Sequence, residues 1–174
     1  MKYLFFILSI SSLASCSLKN NEALSQIEEL QSKVNKLQNK FDLANEKPIS
    51  DAKKQYDQSL FLIKKYYFKD TVDVQFMNSL DYYKNIKYTY KAIKKNEDII
   101  NNNSEIAKNQ LSTLKEDLNN TAIQGDKLKA ALLNENTNAA KLDSAVTFYI
   151  DNVDKLLLVH DSIAGYIKNK TLSF

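Results

Sequence analysis

Apolar side chains recur along most of this chain at alternating steps of three and four residues. Such spacing places them on one face of an α-helix, and its extension over several heptads is typical of helices that pack lengthwise against one another. The first stripe of this kind predicts a helix over residues 23–46. Its members are Ala23, Ile27, Leu30, Val34, Leu37, Phe41 and Ala44.

Pro48 follows this first helix and either ends it or kinks it, because proline lacks an N–H and disfavours helix in the residue before it. A shorter stripe then predicts a second helix over residues 50–68. Asp70 and Thr71 are candidate caps for the helix that follows. The inward residues of the second helix are Ala52, Tyr56, Leu60, Ile63 and Tyr67.

Two longer stripes predict helices over residues 75–119 and 126–168. The first of them keeps its register through the polar run 101–104, so we expect one helix with a polar middle rather than two helices. This stripe comprises Tyr83, Ile86, Tyr90, Ile93, Glu97, Ile100, Ser104, Ala107, Leu111, Leu114 and Leu118. The other comprises Leu128, Leu132, Glu135, Ala139, Leu142, Val146, Tyr149, Val153, Leu156, His160, Ile163 and Ile167.

A turn over residues 119–125 joins the two long helices, and Gly125 offers it backbone freedom. Two long helices joined by a short turn form an antiparallel hairpin. Reflection about this turn places Ser104 beside Lys141 and Ile86 beside His160. We expect the second helix to pack on the far end of the hairpin, and the first helix to cover the remainder or to project toward a membrane.

The predicted fold is therefore all-α. It is an elongated antiparallel helical bundle or coiled coil of three to four helices, two of them about 40 residues long. The bundle proper occupies residues 49–170, after the N-terminal coiled-coil helix. The chain contains only two glycines and one proline, which disfavours the tight turns that an all-β or α/β fold requires.

The composition of the charged residues argues against some classes of binding partner. The formal net charge is +3, and all 24 basic residues are lysines. Arginine supplies the planar fork that nucleic-acid and phosphate sites favour, so its absence argues against both. We interpret the lysines along the helices as a solvated face. No nucleic acid, cofactor or small-molecule substrate is expected.

The N-terminal residues differ in character from the rest of the chain. Lys2 gives a basic start, and residues 3–10 form an apolar run that is too short for a bilayer span of roughly 20 residues. Small residues then precede Cys16, the only cysteine. This order is that of a secretory signal, and residues 1–15 are predicted to be a cleaved signal peptide.

The motif Leu13-Ala14-Ser15-Cys16 resembles the lipobox of bacterial lipoproteins. The resemblance implies cleavage before Cys16, which then carries a thioether-linked diacylglycerol and an N-acyl chain, with residues 16–22 as a lipidated tether. Ser17 in place of aspartate favours the outer membrane, and the lack of an acidic cluster after Cys16 favours its periplasmic face over the cell surface. The alternatives for Cys16 are a buried helical cysteine and an incidental residue of an ordinary signal.

The body of the chain carries a second, less specific likeness. The strings "NQLSTLKEDLNN" and "DKLKAALLNE" resemble small helical coiled-coil lipoproteins of Bacteroidota that have no assigned function. The resemblance implies a helical lipoprotein body. It transfers no site residue other than Cys16.

The only histidine, His160, lies at a seam position and precedes Asp161 and Ser162, which are the residue types of a nucleophilic triad. Neighbouring helical residues point about 100° apart and cannot form an aligned relay from one helix. A metal site needs several ligands, and Glu135 lies about seven helical turns away. We interpret His160 as a polar core position that specifies register, with a base or metal ligand as the alternative.

Three polar residues interrupt the long seams. Glu97, Ser104 and Glu135 either line a polar cavity or lie at a solvated flank, paired with lysines such as Lys108 or Lys141. The flank interpretation is favoured, because interrupted seams usually open toward solvent at such positions.

Tyrosines are dense between residues 56 and 90. Adjacent tyrosines cannot all face one seam, and exposed tyrosines are favoured at protein interfaces. The sequence therefore indicates a partner surface, with a thick aromatic core where three helices meet as the alternative. The candidate surface residues are Tyr66, Tyr67, Tyr82, Tyr83 and Tyr88.

Together these features predict a membrane-anchored lipoprotein of the bacterial cell envelope, acting without catalysis as a scaffold or protein-interaction module. Its partners would be the membrane, through the lipid, and another protein or a second copy of itself. The alternative is a surface-exposed lipoprotein that binds a host or environmental macromolecule. An enzyme would require a polar pocket that joins several carboxylates to His160.

Overall fold

The structure is a computed structural model that describes the backbone of residues 4–66 and 73–172 and the side chains of residues 20–65 and 73–170. All regular structure in these ranges is helical, which confirms the predicted all-α helical bundle. Within them, no helix is both long and apolar enough to cross a membrane. The helices described are α1 (Leu4–Asn45), α2 (Ile49–Tyr66), α3 (Val74–Tyr83), α4 (Asn85–Asn119) and α5 (Gly125–Leu172).

The chain divides into two compact units. The first unit comprises Met1–Asn39 and Asn101–Ser144, and therefore parts of α1, α4 and α5. The second unit comprises Lys40–Ile100 and Ala145–Phe174, which include α2 and α3. Each unit builds its core from the apolar stripes that the sequence predicts.

The core of the first unit lies among α1, α4 and α5. Lys115 of α4 donates a hydrogen bond of 2.9 Å to Glu28 of α1, and Lys33 of α1 lies 3.7 Å from Asp143 of α5. The first helix therefore covers the other two here rather than projecting away from them. The side chains buried in this unit include Ala23, Ile27, Val34, Leu37, Ser104, Ala107, Leu111, Leu114, Leu118, Leu128, Ala139 and Leu142.

Aromatic rings dominate the core of the second unit. Fully burying an aromatic or a large aliphatic side chain stabilises a fold by about 1.5–3 kcal/mol, so these contacts are a large part of what holds the helices together. Three ring pairs join helices here, and their centroids are 4.8–6.4 Å apart. The pairs are Phe41 with Tyr149, Tyr56 with Tyr83, and Phe76 with Tyr166.

The hairpin register follows the reflection about the turn. The sequence predicts that Ser104 lies beside Lys141. In the first unit, Asn103, the neighbour of Ser104 on α4, and Lys141 of α5 border the same pocket of about 290 Å³. In the second unit, Lys170 near the end of α5 donates a 2.9 Å hydrogen bond to Asp73 at the start of α3. Both contacts require α5 to run antiparallel to the α3 and α4 segments that it meets.

Pro48 ends the first helix instead of kinking it. The helix α1 stops at Asn45, and α2 begins at Ile49 directly after the proline. Proline has no N–H to donate, but the Pro48 carbonyl accepts a hydrogen bond from the Ala52 N–H at 3.1 Å and so opens the ladder of α2. Ile49 is buried immediately after this turn.

The predicted helix 75–119 is divided at Lys84. The N–H of Lys87 bonds to the Lys84 carbonyl at 3.2 Å, an i to i+3 contact that tightens one turn and separates α3 from α4. Lys84 itself keeps helical angles, with φ −60° and ψ −21°. The polar run 101–104 is helical within α4, as its preserved register indicates.

The ends of two other helices differ from the sequence-based bounds. Residues 16–22, expected to be a tether, are helical in backbone and continuous with α1. The cap of α3 is Asp73, whose carboxylate accepts the Phe76 N–H at 3.0 Å. The candidate caps Asp70 and Thr71 lie outside the described residues.

Two residues with positive φ form the turn between α4 and α5. Thr121 has φ 56° and Gly125 has φ 59°. The Ala122 N–H bonds to the Asp117 carbonyl at 2.8 Å and the Thr121 N–H to the Leu118 carbonyl at 3.2 Å, which is the Schellman pattern with Thr121 in the left-handed position. A β-branched residue is strained there, whereas glycine is not.

We expect Thr121→Gly to raise the free energy of unfolding by about 1 kcal/mol, because it relieves the left-handed strain of a β-branched residue. Gly125→Ala is the matched opposite: no atom crowds an added Cβ, yet the positive φ alone should lower stability by about 1 kcal/mol. Urea unfolding of both variants measures this. A destabilised Thr121→Gly variant would contradict the strain assigned to Thr121.

Candidate functional site

Cys16 lies on the helical backbone of α1, but its side chain falls outside the described residues. The same holds for all side chains before Asn20. Lipidation of Cys16 therefore stays a prediction from the lipobox. The described candidates for function lie on the surfaces of α2 to α5.

The candidate tyrosine surface divides into exposed and buried members. Tyr88 is 70% exposed and Tyr82 is 45% exposed, so both are accessible to a partner. Tyr83 is fully buried, and its assignment to a partner surface is wrong. The side chain of Tyr66 and the whole of Tyr67 lie outside the described residues. The dense tyrosines thus supply a core and a surface together.

Tyr83 is held inside by the edge of Tyr56, with ring centroids 5.1 Å apart. Burial raises the pKa of the Tyr83 hydroxyl, and an interaction with Ser59 partly offsets this rise. Among the described residues, however, the hydroxyl makes no hydrogen bond of regular geometry. A buried hydroxyl without a full hydrogen-bond partner lowers the free energy of unfolding. The Tyr83 ring therefore stabilises the core by packing, whereas its hydroxyl lowers the stability.

Tyr149 is also a buried tyrosine, but unlike that of Tyr83 its hydroxyl has a hydrogen-bond partner. Its ring lies against Phe41, and its hydroxyl donates a 2.8 Å hydrogen bond to Asn45 Oδ1. Burial, together with the negative charge of Glu97, raises the pKa of Tyr149 to about 12. This hydroxyl stays neutral and bonded at physiological pH, so it has a structural role at the end of α1.

His160 is a bridging residue at the flank of the core. Its side chain is 14% exposed, while the adjacent Val159 is almost fully buried. The ring Nδ1 lies 3.0 Å from Asp161 Oδ1 and Nε2 lies 3.1 Å from Gln55 Oε1 on α2. A helix between two neighbours buries a stripe wider than one position, and His160 occupies the polar edge of that stripe. Its role in specifying register stays a prediction.

The triad residue types beside His160 do not form a relay. The Ser162 hydroxyl donates to the Val159 carbonyl at 3.1 Å, not to the imidazole. Both imidazole nitrogens already face oxygen atoms, of Asp161 and of Gln55. No group of three or more His, Cys, Asp or Glu side chains that could hold a metal ion occurs within the described ranges.

The three polar seam residues have different environments. Glu97 pairs with Lys94 at 2.7 Å, and this contact raises the pKa of Lys94. Ser104 is buried without a hydrogen-bond partner in the described chain, so the prediction of a solvated flank is wrong for this residue.

Glu135 has one buried oxygen. Burial raises the pKa of Glu135, and a hydrogen bond with Asn138 partly offsets the rise. The partners of Glu97 and Glu135 are thus Lys94 and Asn138 rather than the suggested Lys108 or Lys141.

An apolar groove lies between α1 and α5 in the first unit. Two adjoining pockets of about 520 and 610 Å³ form it and share Gln26, Lys129 and Leu132. Leu133 is exposed at the edge of the groove. Leucine side chains in an open groove offer the kind of contact area that protein partners cover.

A second surface lies in the second unit, on Lys84 and the outer face of α4, where the sequence predicts a solvated face. We call it the lysine stripe. All of its lysines are exposed, and the exposed Tyr88 lies among them. Its spacing of three and four residues was visible in the sequence, but only burial of the opposite face reveals it as one surface. It consists of Lys84, Lys87, Lys91, Lys94 and Lys95.

We expect Tyr83→Phe to leave the free energy of unfolding unchanged or to raise it by up to about 1 kcal/mol, because it removes a buried hydroxyl that lacks a full partner. Tyr149→Phe, the matched control, should lower it by about 1 kcal/mol, because Asn45 loses its donor. Denaturant unfolding of both variants decides the point. Equal losses in the two variants would show that the Tyr83 hydroxyl is paired.

Alkaline pH should destabilise the fold through Tyr149. The stabilising contribution of its neutral form is complete below pH 10, and it is lost as pH rises from about 10 through about 12, because the unfolded tyrosine ionises first. The loss amounts to up to about 3 kcal/mol. Unfolding free energies measured across this range should fall less steeply for Tyr149→Phe, and parallel slopes would refute the assignment.

Comparison of this chain with known proteins found no similar protein. No family model matches it. The search of curated proteins and the search of solved structures likewise give no match. The case for function therefore rests on the N-terminal motif and on the surfaces of the described helices.

Proposed function

We propose that this chain is a lipid-anchored bacterial lipoprotein whose helical-bundle body acts in the cell envelope as a scaffold or protein-interaction module without catalysis. One observation carries the proposal: the order of basic start, short apolar run and Leu13-Ala14-Ser15-Cys16 at the N-terminus. That order combines a secretory signal with the residues that resemble a lipobox.

The anchor would work by burial of hydrocarbon. Each acyl CH₂ buried in a bilayer contributes about 0.8 kcal/mol, and two or more chains give the stable attachment that a single chain does not. A diacylglycerol and an N-acyl chain on Cys16 would meet this condition. Ser17 after the anchor favours the outer membrane, on its periplasmic face.

Features of the body support an interaction role. The exposed Tyr82 and Tyr88 offer large, rigid side chains of the type enriched at interfaces, and Phe61 on α2 is 63% exposed. The leucine-lined groove between α1 and α5 adds apolar area in the first unit. The engagement of both His160 nitrogens with neighbouring oxygens favours a binding role over an acid–base one.

The test is replacement of the anchor residue. We expect Cys16→Ala to abolish incorporation of labelled fatty acid and to move the protein from the membrane fraction to the soluble fraction, because the thioether can no longer form. Ser17→Ala, which keeps the lipobox residues, is the control and should remain acylated. Fractionation and mass spectrometry of both variants measure this. A Cys16→Ala protein that still carries fatty acid would refute the proposal.

Protease treatment of the same cells shows whether the helical bundle faces the periplasm or the cell surface. On the proposed periplasmic face, added protease should digest the protein only after the outer membrane is permeabilised. Digestion in intact cells would instead establish the surface-exposed alternative, in which the body binds a host or environmental macromolecule.

A further inference from the structure

The lysine stripe is a continuous basic surface on one face of a helix. Lys84, Lys87, Lys91 and Lys94 follow one another at steps of three and four residues, and Lys95 lies four residues after Lys91, so the five lysines share one side over about 16 Å. The opposite face of α4 is buried through Ile86 and Ile93. Burial of that face fixes which side chains point outward, and the stripe therefore presents its lysines together.

The stripe contains paired and unpaired lysines. Lys84 pairs with Asp81 and Lys94 with Glu97, each within one helical turn. Within the part of the chain that the structure describes, the other three lysines of the stripe make no ion pair. They are Lys87, Lys91 and Lys95.

Repulsion among the unpaired lysines of the stripe lowers the stability of the helix. Lys87, Lys91 and Lys95 follow one another at four-residue steps, and like charges at that spacing destabilise a helix. No acidic residue lies one helical turn from Lys87 or Lys91, and only Lys95, three residues before Asp98, has one at that spacing, so the helix relieves the repulsion only in part. An external layer of negative charge would relieve it, because all three ammonium groups are exposed.

Tyr88 lies within the stripe, one turn before Lys91 and two turns before Lys95, and 70% of it is exposed. Tyrosine has an apolar ring and a polar tip, and such side chains are favoured where a hydrocarbon region meets water. Lysine has the same division between an apolar stem and a charged end. The surface thus combines positive charge with side chains suited to a membrane interface.

We propose that the lysine stripe docks on the anionic headgroups of a lipid bilayer. Lysine is a point charge that suits a diffuse layer of negative headgroups, whereas the fixed geometry of a polyphosphate chain favours arginine, which this chain lacks. The stripe lies on the exposed face of a helix, and a plane of headgroups can contact successive turns of it. This docking does not require acylation of Cys16.

The experiment uses the full chain carrying Cys16→Ser, so that no acyl chain contributes to binding. Vesicles of phosphatidylglycerol mixed with phosphatidylcholine are compared with vesicles of phosphatidylcholine alone, by co-sedimentation. We expect the triple variant Lys87→Gln, Lys91→Gln, Lys95→Gln to bind the anionic vesicles about 100-fold more weakly, because each lysine near such a surface contributes about a factor of five. The parent's preference for anionic vesicles should also fall as salt is added.

The matched control removes three lysines of the first unit, Lys36→Gln, Lys108→Gln and Lys141→Gln, with the same change in net charge. This control should keep anionic-vesicle binding within about twofold of the parent, since these residues lie outside the stripe. Lys91→Glu is the check on folding. It turns the neighbours Lys87 and Lys95 into favourable partners, so it should keep or raise the melting temperature while it weakens vesicle binding.

Two results would overturn the proposal. Equal losses in the triple variant and its control would show that net charge, not the stripe, governs binding. Binding to soluble polyphosphate without binding to anionic vesicles would identify a polyanionic chain as the ligand instead. Because Cys16 is not acylated in any of these proteins, neither result bears on the lipid anchor.

Discussion

Burial of one apolar stripe on each helix is the interaction on which every other feature of this protein depends. Polar, lysine-rich helices of this kind gain most of their stability from packing rather than from intrinsic propensity. In each unit, stripes from three or more helices meet, and residues such as Ile27 and Tyr149 lose all contact with water. The rotation of each helix about its axis is set by this burial, and the position of every surface group follows from it.

The same constraint separates two kinds of tyrosine in the second unit. Tyr83 is turned inward onto Tyr56, and the adjacent Tyr82 is necessarily turned outward, because helical neighbours differ by about 100°. The Tyr83 ring buries apolar area, but its hydroxyl lacks a full hydrogen-bond partner. The Tyr149 side chain is fully buried as well, and its hydroxyl donates a hydrogen bond to Asn45. An aromatic core and an aromatic surface are therefore two results of one packing arrangement.

The two proposed membrane contacts rest on different physics. An acyl anchor on Cys16 would act through hydrocarbon burial, which is strong and nearly independent of salt. The lysine stripe would act through charge, which is weak for each residue and screened by salt. Firm attachment and adjustable orientation would thus come from separate parts of the chain.

The fold class and most of the core could be read from the sequence, because heptad spacing is a local property that directly specifies one face of a helix. The lipobox is equally local. Periodicity likewise places Tyr83 rather than Tyr82 in the apolar stripe, and Tyr83 is buried. Tertiary structure alone decided that His160 lies at the edge beside Gln55 and that Thr121 adopts a left-handed conformation. It also decided that the lysines of α4 form one exposed surface. These outcomes depend on which distant side chains meet across helices, and periodicity along the chain carries no information about that choice.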